Sequence, residues 1–375
     1  MTDSRKTTLN RVFDLSGIVE GYDLGENIDS LARKLNRKPS EILKLNSNEN
    51  FFVSLDLLRN LLKEVVDDMD PRLYPGDEAK ELREALGTYV NASPETIVLG
   101  TGSDQLIDLV ARAVLRPGDV ALSIAPTFSI YEQCSKLQGA TYKPILLQDD
   151  FSLDTEKMLS SVGPRTSLLF LCSPNNPTAN QFDRKELTRL IEDFAGIVVI
   201  DEAYVEFAKD SVVDLVEESQ NLVVLRTFSK AFGLAGLRLG YAIASREFVR
   251  IMSERLQLPY AVPHIAMRLG VKLLRKIDVI RSAVSALKVE RSRLTKSLNK
   301  ISGLRAFESE TNFVLLSTSV DSNDLYRKLL EKGIIMKNLG RVLHLDNCLR
   351  VAVAPREMCE RFLNSLREAL GDMDA

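Results

Sequence analysis

The sequence predicts an α/β fold: a large domain with a mostly parallel sheet between helices, followed by a smaller α+β layer. Three observations carry that expectation. Short apolar runs alternate with helical patterns from about Thr96 to Ala244, the signature of repeated strand–helix–strand units. After about Leu256 the pattern changes to one long helical stretch and then to short mixed elements. The length of 375 residues exceeds what one small core needs and suits two lobes.

The expected strands of the large sheet are TIVLG (96–100), VALSI (120–124), SLLFLC (167–172), IVVID (197–201), LVVLR (222–226) and RLGYAIA (238–244). Each is a short apolar run that ends in a polar or glycine-bearing turn, as a strand buried on both faces should. Helical spacing then runs from Pro263 to about Asn299, with a break expected near Asp278. Strands near NFVLLS (312–317), GIIM (333–336) and CLRVAV (348–353) build the smaller layer. The division expected is residues 50–260 for the large domain, with 1–49 and 261–375 as an N-terminal arm and a small C-terminal domain. No internal repeat or low-complexity segment interrupts it.

Composition narrows the function classes. With 45% hydrophobic and 27% charged residues the chain is neither disordered nor fibrous. A net charge of -3 gives no general field for nucleic acid or an anionic membrane, so neither partner is expected. Attraction for a phosphorylated small molecule must be local. Cys134, Cys172, Cys348 and Cys359 lack the spacing of a zinc site or a disulfide framework, so reduced, buried thiols and no metal are expected. His264 and His344 fall in no metal-ligand or triad pattern. The first fifteen residues contain no apolar leader, and no window approaches the roughly 20 apolar residues of a membrane helix, which points to the cytoplasm.

In an open α/β sheet, ligands bind beyond the carboxyl ends of the strands, and four such ends carry matched chemistry. TFSKAFGLAGLRLGY (227–241) sets Lys230 among small residues directly after an apolar strand, with Ser229 before it and Arg238 behind it. A lysine lowered in pKa by burial or by a neighbouring cation becomes a nucleophile for an aldehyde cofactor, and pyridoxal phosphate suits these parts. GTGSDQ (100–105) opens a helix whose unpaired N–H groups, at Gly102 and Ser103, suit a phosphate. Taken alone, that turn reads equally as an ordinary N-cap by Ser103 or Asp104.

SPNNPTA (173–179) follows a buried strand and can offer an asparagine amide, although Asn-Pro steps also simply make turns. DEAYVEF (201–207) places Asp201 at the end of an apolar strand, where a carboxylate requires a cationic partner. A protonated pyridine nitrogen is one such partner, with Tyr204 on the ring hydroxyl. Helix capping by Asp201 and packing by Tyr204 remain the plain alternatives.

The set GTGSDQ, SPNNPT, DEAY and TFSKAFGLAGLRLGY, in this order on successive strand ends, resembles the fold-type I pyridoxal-phosphate-dependent aminotransferases, most of all the histidinol-phosphate aminotransferases. The likeness extends from GYDLGENI (21–28) and LNSNEN (45–50) to LRVAVAPRE (349–357). It implies a seven-stranded large sheet and pyridoxal 5'-phosphate as cofactor. Lys230 would form the Schiff base and shuttle the proton, Asp201 would pair with the pyridine nitrogen, and Asn176 and Tyr204 would contact the ring oxygen. Thr227, Ser229, Arg238, Gly102 and Ser103 would hold the phosphate with Asp104 nearby, and Phe128 would stack on the ring. Tyr74 would reach the phosphate of a neighbouring subunit, which implies a homodimer. Tyr22, Asn50, Lys337 and Arg350 would face the substrate.

The reaction implied is transfer of the amino group of L-histidinol phosphate to 2-oxoglutarate, in histidine biosynthesis. An aromatic or aspartate aminotransferase and a threonine-phosphate decarboxylase stay open as alternatives on the same fold. A non-catalytic binding protein is opposed by the joint presence of Lys230, Asp201, Tyr204 and Arg238. Three departures bear on the substrate side: Lys337 stands where the family commonly has arginine, NENFFVS (48–54) replaces NENPxGPS, and Ala179 replaces a glycine. Lysine keeps the charge but loses the bidentate fork. Alanine cannot take positive φ without strain, so that exchange is expected only to shift a backbone dihedral.

Overall fold

The computed structural model describes residues 9–10, 15–21 and 25–371. Its large sheet has seven strands: β2 (Ile97–Gly100), β3 (Val120–Ala125), β4 (Thr141–Leu146), β5 (Thr166–Cys172), β6 (Ile197–Asp201), β7 (Leu222–Thr227) and β8 (Gly240–Ala244), preceded in the chain by the short β1 (Leu43–Lys44). The order across the sheet is β2-β8-β7-β6-β5-β3-β4, parallel except for β8, which is antiparallel to both of its neighbours. Successive residues of β5 enter opposite cores, Leu168 and Phe170 on one face, Leu169 and Leu171 on the other. That is why these strands read as unbroken apolar runs rather than as alternating ones.

All six expected strands form, and two differences have simple causes. β4 lies at the sheet edge, is largely exposed and contains Pro144, so it shows no apolar run. β8 begins at Gly240 rather than at Arg238, because Arg238 turns left-handed with φ +53. The twelve-residue link from β7 to β8 carries Lys230 and has only a single 3-10 turn, Ala235–Leu237. Lacking a crossover helix, it returns the chain antiparallel.

The long helical stretch is two helices, His264–Leu274 and Ile277–Leu298, broken at Arg275 and Lys276, close to the expected place. The first packs on Leu55–Asp67 and Glu78–Val90. The remaining strands are β9 (Leu304–Ala306), β10 (Phe313–Thr318), β11 (Ile334–Ile335), β12 (Lys337–Val342) and β13 (Leu345–Ala352). A second, antiparallel sheet is ordered β12-β13-β10-β9, while β1 pairs in parallel with β11. The β1 pairing brings the segment after Lys44 beside β13, where Ala352 N donates to Leu45 O at 2.9 Å. All four cysteines are free and buried.

Beside the carboxyl ends of β6 and β7 lies a buried ion pair. Arg226 Nε and Nη2 donate to Glu202 Oε2 at 3.0 and 2.8 Å, and Nη2 also reaches Ser211 Oγ at 2.8 Å. Removing one partner of such a pair leaves a charge stranded in low dielectric, whereas replacing both need cost little. Arg226→Met is therefore expected to lower stability by about 3–5 kcal/mol in urea denaturation. A loss below about 1 kcal/mol would show that Glu202 finds compensation elsewhere.

Candidate active site

The strand ends meet in a cavity of about 240 Å³. Its walls include Ser103, Asp104, Phe128, Asn176, Asp201, Tyr204, Thr227, Ser229, Lys230, Arg238, Lys337 and Arg350, so twelve of the expected residues converge there. The loop Asn46, Ser47 and Asn48 closes it from the side of β1.

Lys230 sits three residues beyond β7. A side chain on Gly233, φ +69, would press within 3.3 Å of Asn50 O, so that turn is tight against the neighbouring loop. Lys230 keeps some accessible surface because it lines the cavity, yet its amine is enclosed, and Nζ donates to Ser47 O at 3.0 Å. Removal from bulk water, and then the charge of Arg350, lower its pKa to about 8.

Asp201 ends β6 and is 3% exposed. Oδ2 accepts from Tyr131 Oη at 2.7 Å and Oδ1 from Ala203 N at 3.1 Å. Among the described residues no cationic side chain pairs with it, and burial pushes its pKa up to about 6. A carboxylate in that position fits a protonated ring nitrogen, the cation that the fold does not supply. Tyr131, stacked on Phe170 at 4.9 Å, was not visible as a site residue in the sequence, since a lone aromatic at helical spacing reads as core.

The phosphate end is built from close approaches. Gly102 has φ +80, and a Cβ there would come within 2.6 Å of Arg238 Nη2. A Cβ on Gly240 would come within 2.6 Å of Ser103 N. Arg238 is set by Asp104 Oδ2 at 2.8 Å and by Ser229 Oγ at 3.3 Å, while Thr227 Oγ1 accepts from Ser229 N at 3.1 Å. Hydroxyls, a guanidinium and the start of the helix Gly102–Val114 thus converge, a donor set that matches a phosphate. The residues present therefore fit pyridoxal 5'-phosphate.

On the opposite lobe, β12 and β13 put Lys337 and Arg350 in register, and both reach the cavity. Arg350 donates to Asn176 Oδ1 and to Asn46 O, and its guanidinium lies 5.2 Å from the Phe313 ring centre. Tyr204 packs edge-on against the same Phe313 and accepts from Asn48 Nδ2 at 3.1 Å. A second cavity of about 650 Å³ shares Phe128, Asn176, Lys337 and Arg350 with the first and adds residues 17–21, Glu132 and Lys136.

Of the other expected residues, one is placed differently, two lie off the cavity wall in ways the expectation allows, and one lies outside the described residues. Asn50 does not line the cavity: its amide donates to Ala231 O at 2.8 Å and accepts from Phe52 N at 3.0 Å, so it ties the loop to the segment that carries Lys230. Tyr74 is 76% exposed and stacks on Tyr260 at 4.5 Å, away from the cavity of its own chain. Gly102 acts through its backbone behind the wall rather than on it. Tyr22 lies outside the described residues. Of the departures, Ala179 does take φ +66 while fully buried, and Phe52 packs half-buried on the core while Phe51 is exposed.

A family model described as aminotransferase class I and II matches residues 40–366. The histidinol-phosphate aminotransferase of Thermoanaerobacter sp. (strain X514) is 36% identical over 329 residues, covering 87% of this chain and 93% of the relative. That of Roseiflexus castenholzii is 38% identical over 348 residues, covering 91% and 93%. The crystal structure of histidinol-phosphate aminotransferase from Sinorhizobium meliloti, in complex with pyridoxal-5'-phosphate, superposes with a TM-score of 0.84 at 23% identity over 94% of this chain and 96% of that one.

The raised pKa of Asp201 has a consequence for the cofactor-free protein. Its folded value of about 6 lies above the unfolded value of 3.8, so its contribution to stability is full below about 4 and is lost as pH rises through about 6. Asp201→Asn is expected to make the cofactor-free protein about 1–3 kcal/mol more stable at pH 7 and to flatten that part of the pH profile. Urea denaturation at pH 4, 5.5 and 7 measures it, and a variant less stable than the parent at pH 7 would contradict the buried charge.

Proposed function

This chain belongs to the aminotransferase class I and II family, and from that premise we propose that it transfers the amino group of L-histidinol phosphate to 2-oxoglutarate. The products are imidazole acetol phosphate and L-glutamate, and the place is histidine biosynthesis in the cytoplasm. The observation that carries the substrate is the likeness, along nearly the whole chain, to relatives that bear that name. Two cations in register, Lys337 and Arg350, at the wall of one cavity support a substrate with an anionic end. Among the described residues no helix is long and apolar enough to cross a membrane.

Pyridoxal 5'-phosphate, when bound, supplies an aldehyde for an amine to join and a ring that accepts the electrons of a carbanion. The chain's own residues do the rest. Asp201, ionised at neutral pH, would hold the ring nitrogen protonated. Tyr204 Oη and Asn176 Nδ2 line the cavity and would hold the ring oxygen. Arg238, Ser229, Thr227 and the N–H groups of Gly102 and Ser103 would hold the phosphate, and Phe128 would cover the ring. Lys230 Nζ takes the α-proton of the substrate and returns it. A pKa of about 8 keeps a useful fraction of the amine neutral without making it a poor acid on the return step. Arg350 would bind the phosphate of L-histidinol phosphate and, in the second half-reaction, a carboxylate of 2-oxoglutarate, with Lys337 beside it on the phosphate.

We place the active form as a homodimer. Leu73, Tyr74, Leu258 and Tyr260 are all exposed, and Tyr74 stacks on Tyr260, apolar surface that a second copy would cover. Tyr74 would there complete the phosphate site of the other copy.

Purified protein with the cofactor should absorb in the visible range, and L-histidinol phosphate alone should remove that band. No band would overturn the enzyme reading, whereas a band indifferent to L-histidinol phosphate would overturn only the substrate. Lys230→Ala should retain cofactor but abolish the amino-transfer half-reaction. Lys337→Gln should raise KM for L-histidinol phosphate about tenfold, one charged hydrogen bond's worth, with the resting spectrum unchanged. An unchanged KM would remove Lys337 from the substrate site.

A further inference from the structure

Asn48 carries costs that the fold does not recover. It is 2% exposed, its backbone is left-handed with φ +57, and its Oδ1 has no hydrogen-bond partner. A buried acceptor left unmatched is unfavourable, and left-handed backbone adds to it, though less for asparagine than for most residues. Its side chain makes one bond, Nδ2 donating to Tyr204 Oη at 3.1 Å. The Asn48 carbonyl is held in turn by Asn312 Nδ2 at 2.7 Å, and Asn312 Oδ1 is also without a partner. Two buried asparagines therefore hold one amide against one phenol.

We propose that Asn48 is a positioning residue that sets the direction of the Tyr204 hydroxyl. A phenol oxygen that accepts a bond from Nδ2 keeps its own hydrogen for a second partner. Among the described residues that hydrogen has no acceptor, and Tyr204 lines the cavity. Burial raises the phenol above its ordinary pKa, so it stays protonated at neutral pH. Its hydrogen is then delivered to the ring oxygen of pyridoxal 5'-phosphate. This inference rests on the cofactor reading above and deepens it.

A donor at the ring oxygen favours the ionised form and lowers the pH at which the visible band of the bound cofactor changes. The charged and titratable groups around the phenol are Arg350, Cys172, Asp201 and Lys230, and the variants below leave all of them in place. The experiment is the pH titration of that band in the holoenzyme, for the parent, Asn48→Gly, Tyr204→Phe and the double variant. Glycine keeps the left-handed backbone without strain.

Tyr204→Phe should raise the midpoint by about one pH unit, a tenfold change in the equilibrium. Asn48→Gly should give about half that rise or more, and the double variant should match Tyr204→Phe alone, because Asn48 acts only through the hydroxyl. Asn48→Asp, of the same size, offers a carboxylate that takes the hydroxyl's hydrogen for itself, so its midpoint should rise as well. If the glycine variant does not fold, Asn48→Asp is read with and without Tyr204→Phe: its own charge raises the midpoint in both, and Tyr204→Phe should then add no further rise.

An unchanged midpoint in the Asn48 variant overturns the proposal, as do shifts that add in the double variant. A fall in the midpoint also overturns it, since the amide would then have been holding the phenol's hydrogen. A parent protein that binds no coloured cofactor overturns this inference together with the reading beneath it. A coloured parent with an unshifted Asn48→Gly overturns this inference alone.

Discussion

A carboxylate buried without a cation is the constraint from which the site follows. Asp201 ends a strand whose other residues are wholly apolar, and its two bonds, from Tyr131 and the Ala203 amide, are both neutral. Neutral donors reduce the cost of the charge but do not cancel it, which is why its pKa stays raised. The fold is thus built to be completed by a cation at that point. Lys230 is the mirror case, an amine lowered by burial and by the nearby Arg350. A ligand with a protonated ring nitrogen and an aldehyde relieves both at once.

The loop Asn46 to Asn48 is what couples the two sheets across this gap. Asn46 O accepts from Arg350, Ser47 O from Lys230, and the Asn48 side chain reaches Tyr204. These residues come from β13, from the link after β7 and from the turn after β6, so one three-residue segment touches three of the working side chains. Its placement depends on β1 pairing with β11 and on Ala352 N bonding Leu45 O. The small sheet therefore positions substrate-side charge and loop as one unit.

Much of this was legible in the sequence where chemistry and periodicity coincide. Strands buried on both faces write continuous apolar runs, and residues at their carboxyl ends, Asp201, Lys230 and Asn176, stand out against them. Edge strand β4 writes no such run. Tyr131 was missed because its role depends on a contact 70 residues away in the chain. Asn50 was misread because the motif gives residue type but not direction, and the amide of Asn50 turns toward Ala231 O instead of the cavity. Gly102 and Gly240 were readable as glycines, but their reason, the approach of Arg238 and of the Ser103 backbone, is geometric.

Three of the left-handed non-glycine residues lie at the site. Asn48, Ala179 and Arg238 are left-handed non-glycine residues, and each lies in or directly beside a segment that forms the cavity. Such conformations cost of order 1–3 kcal/mol each and persist only where surroundings overdetermine them. Arg238 is overdetermined by Asp104 and Ser229, Ala179 by bonds to Asn175 O and from Glu310 N, and Asn48 by Asn312. The apolar runs of the seven-stranded sheet, buried on both faces, supply the stability against which these costs are set. A chain that could relax Arg238 to ordinary dihedrals would gain stability locally, but its guanidinium would leave the helix start at Gly102, and the phosphate site would lose its one fixed charge.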